Sequence, residues 1–276
     1  MPLLVLSPRY TSDSKVLRAA AGRLGWKAER LGGWRAPARM RGQDVALYGE
    51  PTFVEVIASQ VGVTLLDVPS GWLPGLPERH RRRSIEVSTL GVVRQSLSEA
   101  AFVKPADGRK AFEGKVHNSP DELPGRDVLP DETPVFVSEP VRWDVEFRCH
   151  VLEGQVVTMS PYLLDGELAL SEDGQWHAPE QDVREAGEYA ALVLEEVPVP
   201  PGIVLDIGRI HGRGWAVVEA NAAWGAGLYG CDPEQVLRVL AGRASAGSTS
   251  PRPTVTGSSR RSRSTWTGRA SQSSDR

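Results

Sequence analysis

The stretch VLDIGRIHGRGWAVVEANAAWG, residues 204–225, decides how this chain is interpreted. Val, Ile, Leu and Trp dominate two arms around His-Gly-Arg-Gly at 211–214, a pattern typical of a β-hairpin. Counting outward from a turn centred on Gly212 and Arg213 predicts three cross-strand pairs: Ile210 with Trp215, Gly208 with Val217, and Asp206 with Glu219.

The polar residues of this hairpin form a candidate metal site. Side chains alternate faces along a strand, so Glu219 and Asn221 share a face, and Asp206 joins them from the opposite arm. Two carboxylates opposite each other repel, and a bound hard cation such as Mg²⁺, which prefers oxygen ligands, removes the repulsion. The alternative is a half-exposed hairpin that carries scattered acidic residues.

Composition excludes several classes of partner. The 276 residues suffice for one large domain or two modest ones, and 40% hydrophobic with 24% charged residues is ordinary for a globular protein. A net charge of -3 predicts neither a nucleic-acid nor a membrane partner, and no apolar run has the length of a membrane span. Cys149 and Cys231 lie in no metal or redox spacing, which fits a reducing cytoplasm.

The order of strands and helices predicts an α/β protein with an α+β C-terminal part. Apolar strands at 3–7, 44–49 and 63–68 alternate with helical segments, which predicts a small parallel sheet in an N-terminal domain, residues 1–83. A strand-rich domain follows at 84–245, and its first segment, IEVSTLGVV, is predicted to be extended. Residues 246–276, rich in Ser and Arg, are predicted to form a disordered basic tail.

A basic run, Arg79 to Arg83, precedes the strand-rich part. A nucleic-acid patch is one interpretation, but the run is short and isolated, so a solvated helix face is favoured.

The segment FVKPADGRKAFEGK, 102–115, offers two lysines for phosphate. Lys104 ends an apolar strand, where a lone charge is normally avoided, and Lys110 lies in the polar loop that follows. Ammonium groups suit phosphate oxygens. The alternative is that Lys104 extends its amino group to solvent.

A third segment, WDVEFRCHV at 143–151, alternates strictly. Its polar face carries Asp144, Glu146, Arg148 and His150, and the intervening apolar residues face the core. This polar face is either a surface ladder of ion pairs or the floor of a site in which Arg148 contacts phosphate. Upstream, Glu139 ends a strand where a backbone edge and a carboxylate could recognise adenine or ribose.

The motif G-x-G-x-x-G occurs at 225–230 in WGAGLYG, but a dinucleotide site is rejected. Such a site needs a second strand after the helix, and here one helix is followed by the Ser- and Arg-rich segment. The glycines are better explained by a close approach of backbone beside the acidic patch.

In order and spacing, the segments FVKP, VFVSEP, VEFRCHVLEGQV, LDIG and VEANAAWGAGLYG resemble the ATP-grasp superfamily, and among its members the bacterial clade marked by one arginine and two lysines. The resemblance implies an ATP-grasp fold after the small α/β domain. It implies that ATP is held by the residues Lys104, Lys110, Val137, Ser138, Glu139 and Glu146. It also implies that Lys110 and Arg148 are catalytic, with Lys110 at the phosphates and Arg148 at the transferred phosphate or the acceptor, and that Mg²⁺ is held by Asp206, Glu219 and Asn221.

The same resemblance implies a function. It is an ATP- and Mg²⁺-dependent ligase that joins a small-molecule or peptide carboxylate to an amine nucleophile through an acyl-phosphate. A phosphotransferase on the same fold and a nucleotide-binding module without catalysis are the alternatives.

Overall fold

A computed structural model describes residues 1–106 and 111–242. All the described residues belong to one compact unit, within which the domain boundary near residue 83 stays a prediction. Both Lys110 and the predicted tail, 246–276, lie outside the described residues. Within the described part, no helix is long and apolar enough to cross a membrane.

The N-terminal part contains the predicted parallel sheet. Its strands lie in the order β2-β1-β3, and one helix follows β1 and another follows β3. The bounds are β1 Leu3–Leu6, α1 Ser12–Arg23, β2 Lys27–Arg30, β3 Val45–Tyr48 and α2 Pro51–Val61. Helix α1 begins at a capping box between Thr11 and Ser14, and α2 starts at Pro51 and ends at Gly62 with φ +77°.

The predicted strand at 63–68 is wrong, and β2 is the third strand of the sheet instead. The sequence of β2, KAER, has no apolar pattern because this edge strand is only half buried. Residues 63–68 pair with no strand in the described part of the chain. The indole of Trp224 instead donates a hydrogen bond to the carbonyl of Leu66 at 2.9 Å. Apolar character in this segment reflects packing rather than strand pairing.

Two short helices, α3 (Trp72–Gly75) and α4 (Glu78–Arg81), lead into a four-stranded antiparallel sheet of order β4-β7-β5-β6. Its elements are β4 Ile85–Thr89, α5 Leu90–Ser96, β5 Ala101–Pro105, β6 Lys115–His117 and β7 Pro134–Ser138. The prediction that IEVSTLGVV is extended throughout is therefore wrong after Thr89. The hydroxyl of Thr89 caps α5 by accepting a hydrogen bond from the backbone of Val92, and Leu90 and Val93 bury one helical face.

A five-stranded antiparallel sheet of order β10-β9-β8-β11-β12 completes the fold. The elements are β8 Trp143–Leu152, β9 Gln155–Leu164, β10 Glu167–Leu168, α6 Glu180–Glu196, β11 Gly202–Ile210, β12 Gly214–Asn221 and α7 Pro233–Ala241. The alternation predicted for β8 is confirmed. Val145, Phe147, Cys149 and Val151 are buried in one core cluster together with apolar residues of α6.

The segment after β12 packs against the carboxyl end of the parallel sheet. The carboxylate of Asp13 accepts hydrogen bonds from the Tyr48 hydroxyl at 3.0 Å and from the backbone of Leu228 at 3.1 Å. The backbone of Gly49 donates to the carbonyl of Trp224 at 3.1 Å. These contacts bring the glycine-containing segment beside the polar face of the five-stranded sheet.

Candidate active site

The β11–β12 hairpin places Asp206 directly opposite Glu219, as predicted. The predicted pairs nearer the turn are wrong, because the turn has three residues, His211 to Arg213, and pairs Ile210 with Gly214. A β-bulge at Val218 restores the predicted register at Asp206. The three-residue turn shifts the pairing by one residue and the bulge shifts it back, so Asp206 and Glu219 are paired as predicted.

The bulge also decides which way Glu219 faces. On the turn side, Trp215 and Val217 pack in the main core cluster, whereas beyond the bulge Ala220 does so. On a regular strand Glu219 would share the face of Val217 and enter that core. The extra residue instead turns Glu219 and Asn221 to the polar face that Asp206 shares.

Asp206 is fully buried and paired with Arg148, its neighbour on β8. The guanidinium donates from Nε to Oδ1 at 2.9 Å and from Nη2 to Oδ2 at 2.6 Å, and Nη1 donates to the carbonyl of Gly227 at 3.0 Å. Burial raises the pKa of Asp206, although the bidentate contact with Arg148 opposes this rise. The predicted metal ligand Asp206 and the predicted phosphate arginine are thus partners of each other.

Glu219 pairs with Lys104 across the two antiparallel sheets. The Nζ of Lys104 donates to Oε2 of Glu219, and Nδ2 of Asn221 donates to Oε1 at 2.7 Å. Burial alone would raise the pKa of Glu219, but the Lys104 ammonium and these hydrogen bonds lower it to about 2. About a quarter of each side chain of the Lys104–Glu219 pair is exposed, so a ligand can reach it.

The chemistry of these groups fits a Mg²⁺ site. Asp206, Glu219 and Asn221 supply carboxylate and amide oxygens, and the repulsion between the two carboxylates is offset here by Arg148 and Lys104. The described residues contain no group of three or more His, Cys, Asp or Glu side chains spaced to hold a metal. Asp206 has no exposed surface and each of its oxygens already accepts one hydrogen bond from Arg148, whereas Glu219 and Asn221 are half-exposed.

Glu146 lies on the same polar face and is buried. Its carboxylate accepts a hydrogen bond from the Tyr162 hydroxyl. Burial raises the pKa of Glu146 to about 7, and repulsion from Asp206 and Glu219 adds to the rise, while the Tyr162 hydrogen bond and Lys104 oppose it. The folded protein therefore holds a proton on Glu146 that the unfolded chain releases near pH 4.5.

Replacing Glu146 by Gln is expected to stabilise the protein at pH 8.5 by about 3 kcal/mol, and at pH 5 by less than about 1 kcal/mol. Stability contributed by a raised carboxyl pKa is present below pH 4.5 and is lost as the pH rises through 7. Urea unfolding of both proteins at the two pH values measures this. Glu153→Gln, in the exposed β8–β9 turn, is the control. If Glu146→Gln changes the stability equally at both pH values, the pKa of Glu146 is not raised by burial.

The predicted adenine and ribose residues lie at the end of β7. Val137 and Ser138 pair with Val103 and Phe102 on β5, so they lie close to Lys104 in the same sheet. The carboxylate of Glu139 accepts a hydrogen bond from Nη2 of Arg213 at 2.5 Å, and its backbone donates to Ser84 at 3.0 Å. The Arg213 contact lowers the pKa of Glu139.

Two tyrosines that the sequence did not point to lie beside Arg148. The Arg148 guanidinium lies 4.7 Å from the ring centre of Tyr229 and 5.4 Å from that of Tyr162. Tyr229 has φ +50°, and its neighbour Gly230 packs so tightly against Trp176 that a Cβ would clash. The glycine motif at 225–230 therefore serves close packing beside Arg148. Tyr229, which lies inside that motif, is the residue that could have indicated this aromatic contact from the sequence.

The basic run is only in part the solvated helix face that the sequence favours, because Arg79 and Arg82 are exposed whereas Arg83 is buried. Arg82 donates to the carbonyls of Trp215 and Arg213, and Arg83 is buried against the same hairpin. These contacts need the hairpin to lie beside α4, which periodicity within the run cannot reveal.

Several solved structures have a fold similar to that of this chain. D-cycloserine synthetase matches with a TM-score of 0.57 and 16% identity, over 87% of this chain and 99% of that one. N5-carboxyaminoimidazole synthetase from Staphylococcus aureus matches with a TM-score of 0.52 and 8% identity, over 88% and 77%. A RimK domain ATP-grasp protein from Sphaerobacter thermophilus matches with a TM-score of 0.50 and 11% identity, over 88% and 97%.

The ATP-grasp fold that the resemblance implied is confirmed, and in this chain its two antiparallel sheets meet at Lys104 and Glu219. The model of an ATP-grasp domain, family 2 of the clade marked by one arginine and two lysines, matches residues 80–239, more than half of the chain. The chain therefore belongs to this family of ATP-grasp proteins. No functionally curated protein matches it.

Proposed function

We propose that the protein is an ATP- and Mg²⁺-dependent ligase that joins a carboxylate to an amine through an acyl-phosphate. Membership of the ATP-grasp superfamily supports this, as does its similarity in fold to proteins named as synthetases. The observation that carries the proposal is the pair of opposed carboxylates, Asp206 and Glu219, matched by Arg148 and Lys104. Such a set of charges suits a metal-bound polyphosphate.

Each predicted residue has a proposed role. Lys104 and Lys110 bind the phosphates, and Glu146 also belongs to the nucleotide site. Adenine and ribose are held by Val137, Ser138 and Glu139. Arg148 orients the transferred phosphate or the acceptor. Asp206, Glu219 and Asn221 hold Mg²⁺, which when bound neutralises phosphate charge. In this scheme Lys104 exchanges Glu219 for a phosphate oxygen when the nucleotide arrives.

The proposed reaction has two steps. A carboxylate oxygen of the substrate attacks the γ-phosphorus of ATP, the bond to the bridging oxygen breaks, and ADP leaves. The amine nitrogen then attacks the acyl carbon of the acyl-phosphate, loses a proton, and expels inorganic phosphate. Positioning and charge neutralisation carry the catalysis, so no side-chain nucleophile is needed.

The cysteines are consistent with this scheme. Both Cys149 and Cys231 are buried and free, and burial raises the pKa of each thiol, that of Cys231 to about 12. Neither thiol is poised to act as a nucleophile. Two free thiols also support our proposal that the protein works in the reducing cytoplasm.

The test is ADP release from Mg²⁺·ATP in a screen of amino acids, other small carboxylates and peptides, with and without added amines. The ligase proposal predicts that sustained ADP release and free phosphate require both a carboxylate and an amine. ADP release without an amine, with phosphate retained on the product, identifies a phosphotransferase. Nucleotide binding with no ADP release across the screen identifies a binding module.

A further inference from the structure

Arg83 contacts the bulge that turns Glu219 toward the polar face. Its Nη1 donates to the carbonyl of Val217 at 2.8 Å, and its Nη2 donates to the carbonyl of Val218 at 2.9 Å. The guanidinium lies 5.0 Å from the ring centre of Trp143. Arg83 is 8% exposed, which is rare for an arginine that has no carboxylate within ion-pair distance among the residues the structure describes.

The bulge is a costly feature that needs an external partner. An extra residue interrupts the hydrogen-bond ladder of its strand, and an unpaired buried carbonyl costs stability. The two carbonyls that Arg83 binds belong to Val217, the last residue of the core-facing series, and to Val218, the inserted residue. One planar guanidinium thus binds both peptide groups at the bulge, where the alternation of side chains between the two faces of the sheet is interrupted.

We infer that Arg83 is a positioning residue, which holds the Val218 bulge and thereby aims Glu219 and Asn221 at the metal of the bound nucleotide. The inference rests on the proposed Mg²⁺·ATP site. It assigns to the segment before β4 a part in the site, although Arg83 itself touches neither metal nor phosphate. Without the hydrogen bonds from Arg83, the bulged strand is less stable than a regular strand. A regular strand would turn Glu219 toward the apolar core.

A matched pair of variants tests this. Arg82 and Arg83 are adjacent and both bind carbonyls of the β11–β12 hairpin, but Arg82 binds on the turn side of the bulge, at Trp215 and Arg213. Arg83→Met and Arg82→Met each remove a guanidinium from the hairpin. The readout is the Mg²⁺ factor, defined as the ratio of the ATP dissociation constants without and with Mg²⁺, measured by isothermal titration well below the melting temperature.

The Mg²⁺ factor is expected to fall at least tenfold in Arg83→Met and to stay within twofold of wild type in Arg82→Met. Arg83→Lys keeps the charge but lacks the planar fork, so it is expected to give an intermediate factor, and it replaces Arg83→Met if that variant does not fold. A folded Arg83 variant with the wild-type factor would overturn the inference. A wild-type protein that binds ATP equally with and without Mg²⁺ overturns the proposed metal site itself.

Discussion

Asp206→Asn is expected to lower the free energy of unfolding by about 3 kcal/mol or more, the usual result of removing one partner of a buried ion pair. Asp206 has no exposed surface, and both of its oxygens accept hydrogen bonds from Arg148. The variant leaves the Arg148 charge buried with a neutral partner. Urea unfolding of the apo protein at neutral pH measures the loss.

Two further variants isolate the cause. Adding Arg148→Met to Asp206→Asn removes the unpaired charge and is expected to recover most of the lost stability. Asp165→Asn makes the same chemical change in an exposed ion pair with Arg142, and should change stability little. If Asp206→Asn unfolds at the wild-type urea concentration, breaking the buried Asp206–Arg148 ion pair does not destabilise the protein, which would contradict this prediction.

The second large effect is expected on nucleotide binding. Lys104→Met should weaken ATP binding by about tenfold to a hundredfold, the value of a charge-assisted hydrogen bond to phosphate. The fold should survive, because Lys104 is partly exposed and Glu219 keeps its hydrogen bond from Asn221. Isothermal titration with Mg²⁺·ATP and a thermal melt of the same sample give the two readouts.

Lys115→Met is the matched control for Lys104→Met. Lys115 is exposed on β6, beside the strand that carries Lys104, whereas the acidic pair lies on the other antiparallel sheet. Its loss should leave ATP affinity unchanged. A Lys104→Met variant that binds ATP as wild type does, or that loses its fold instead of its affinity, would show that this lysine is a structural partner of Glu219 alone.

The sequence predicted the hairpin and its acidic pair, but not how the hairpin achieves that register. Alternation and turn residues place Asp206 and Glu219 together. Whether the turn has two or three residues, and whether a bulge follows, depends on contacts from elsewhere in the chain. The hydrogen bonds from Arg83 to the backbone carbonyls of the bulge are such contacts, and they join residues more than 130 positions apart.

Two strand predictions failed for a related reason. Val63 and Leu65 are apolar because they pack against the N-terminal core, and Leu90 and Val93 are apolar because they bury one face of a short helix. Short apolar runs do not distinguish these environments from a strand. The polar edge strand β2 shows the opposite case, in which backbone pairing with β1 defines a strand without an apolar pattern.

The structure also changes which residue best tests the metal. A substitution of Asp206 disturbs Arg148 as well, so its effect on binding mixes metal loss with misfolding of the buried pair. Glu219 is partly exposed and carries a pKa of about 2, so it is ionised and accessible at neutral pH. Glu219→Gln removes the charge and keeps the size of the side chain.

The most direct test of a Mg²⁺·ATP site at the acidic pair is therefore isothermal titration of ATP into wild-type protein and Glu219→Gln, with and without Mg²⁺. We predict that Mg²⁺ strengthens ATP binding to the wild type at least tenfold, and that Glu219→Gln loses most of this gain while its Mg²⁺-free binding changes less. Equal strengthening by Mg²⁺ in both proteins would contradict the account.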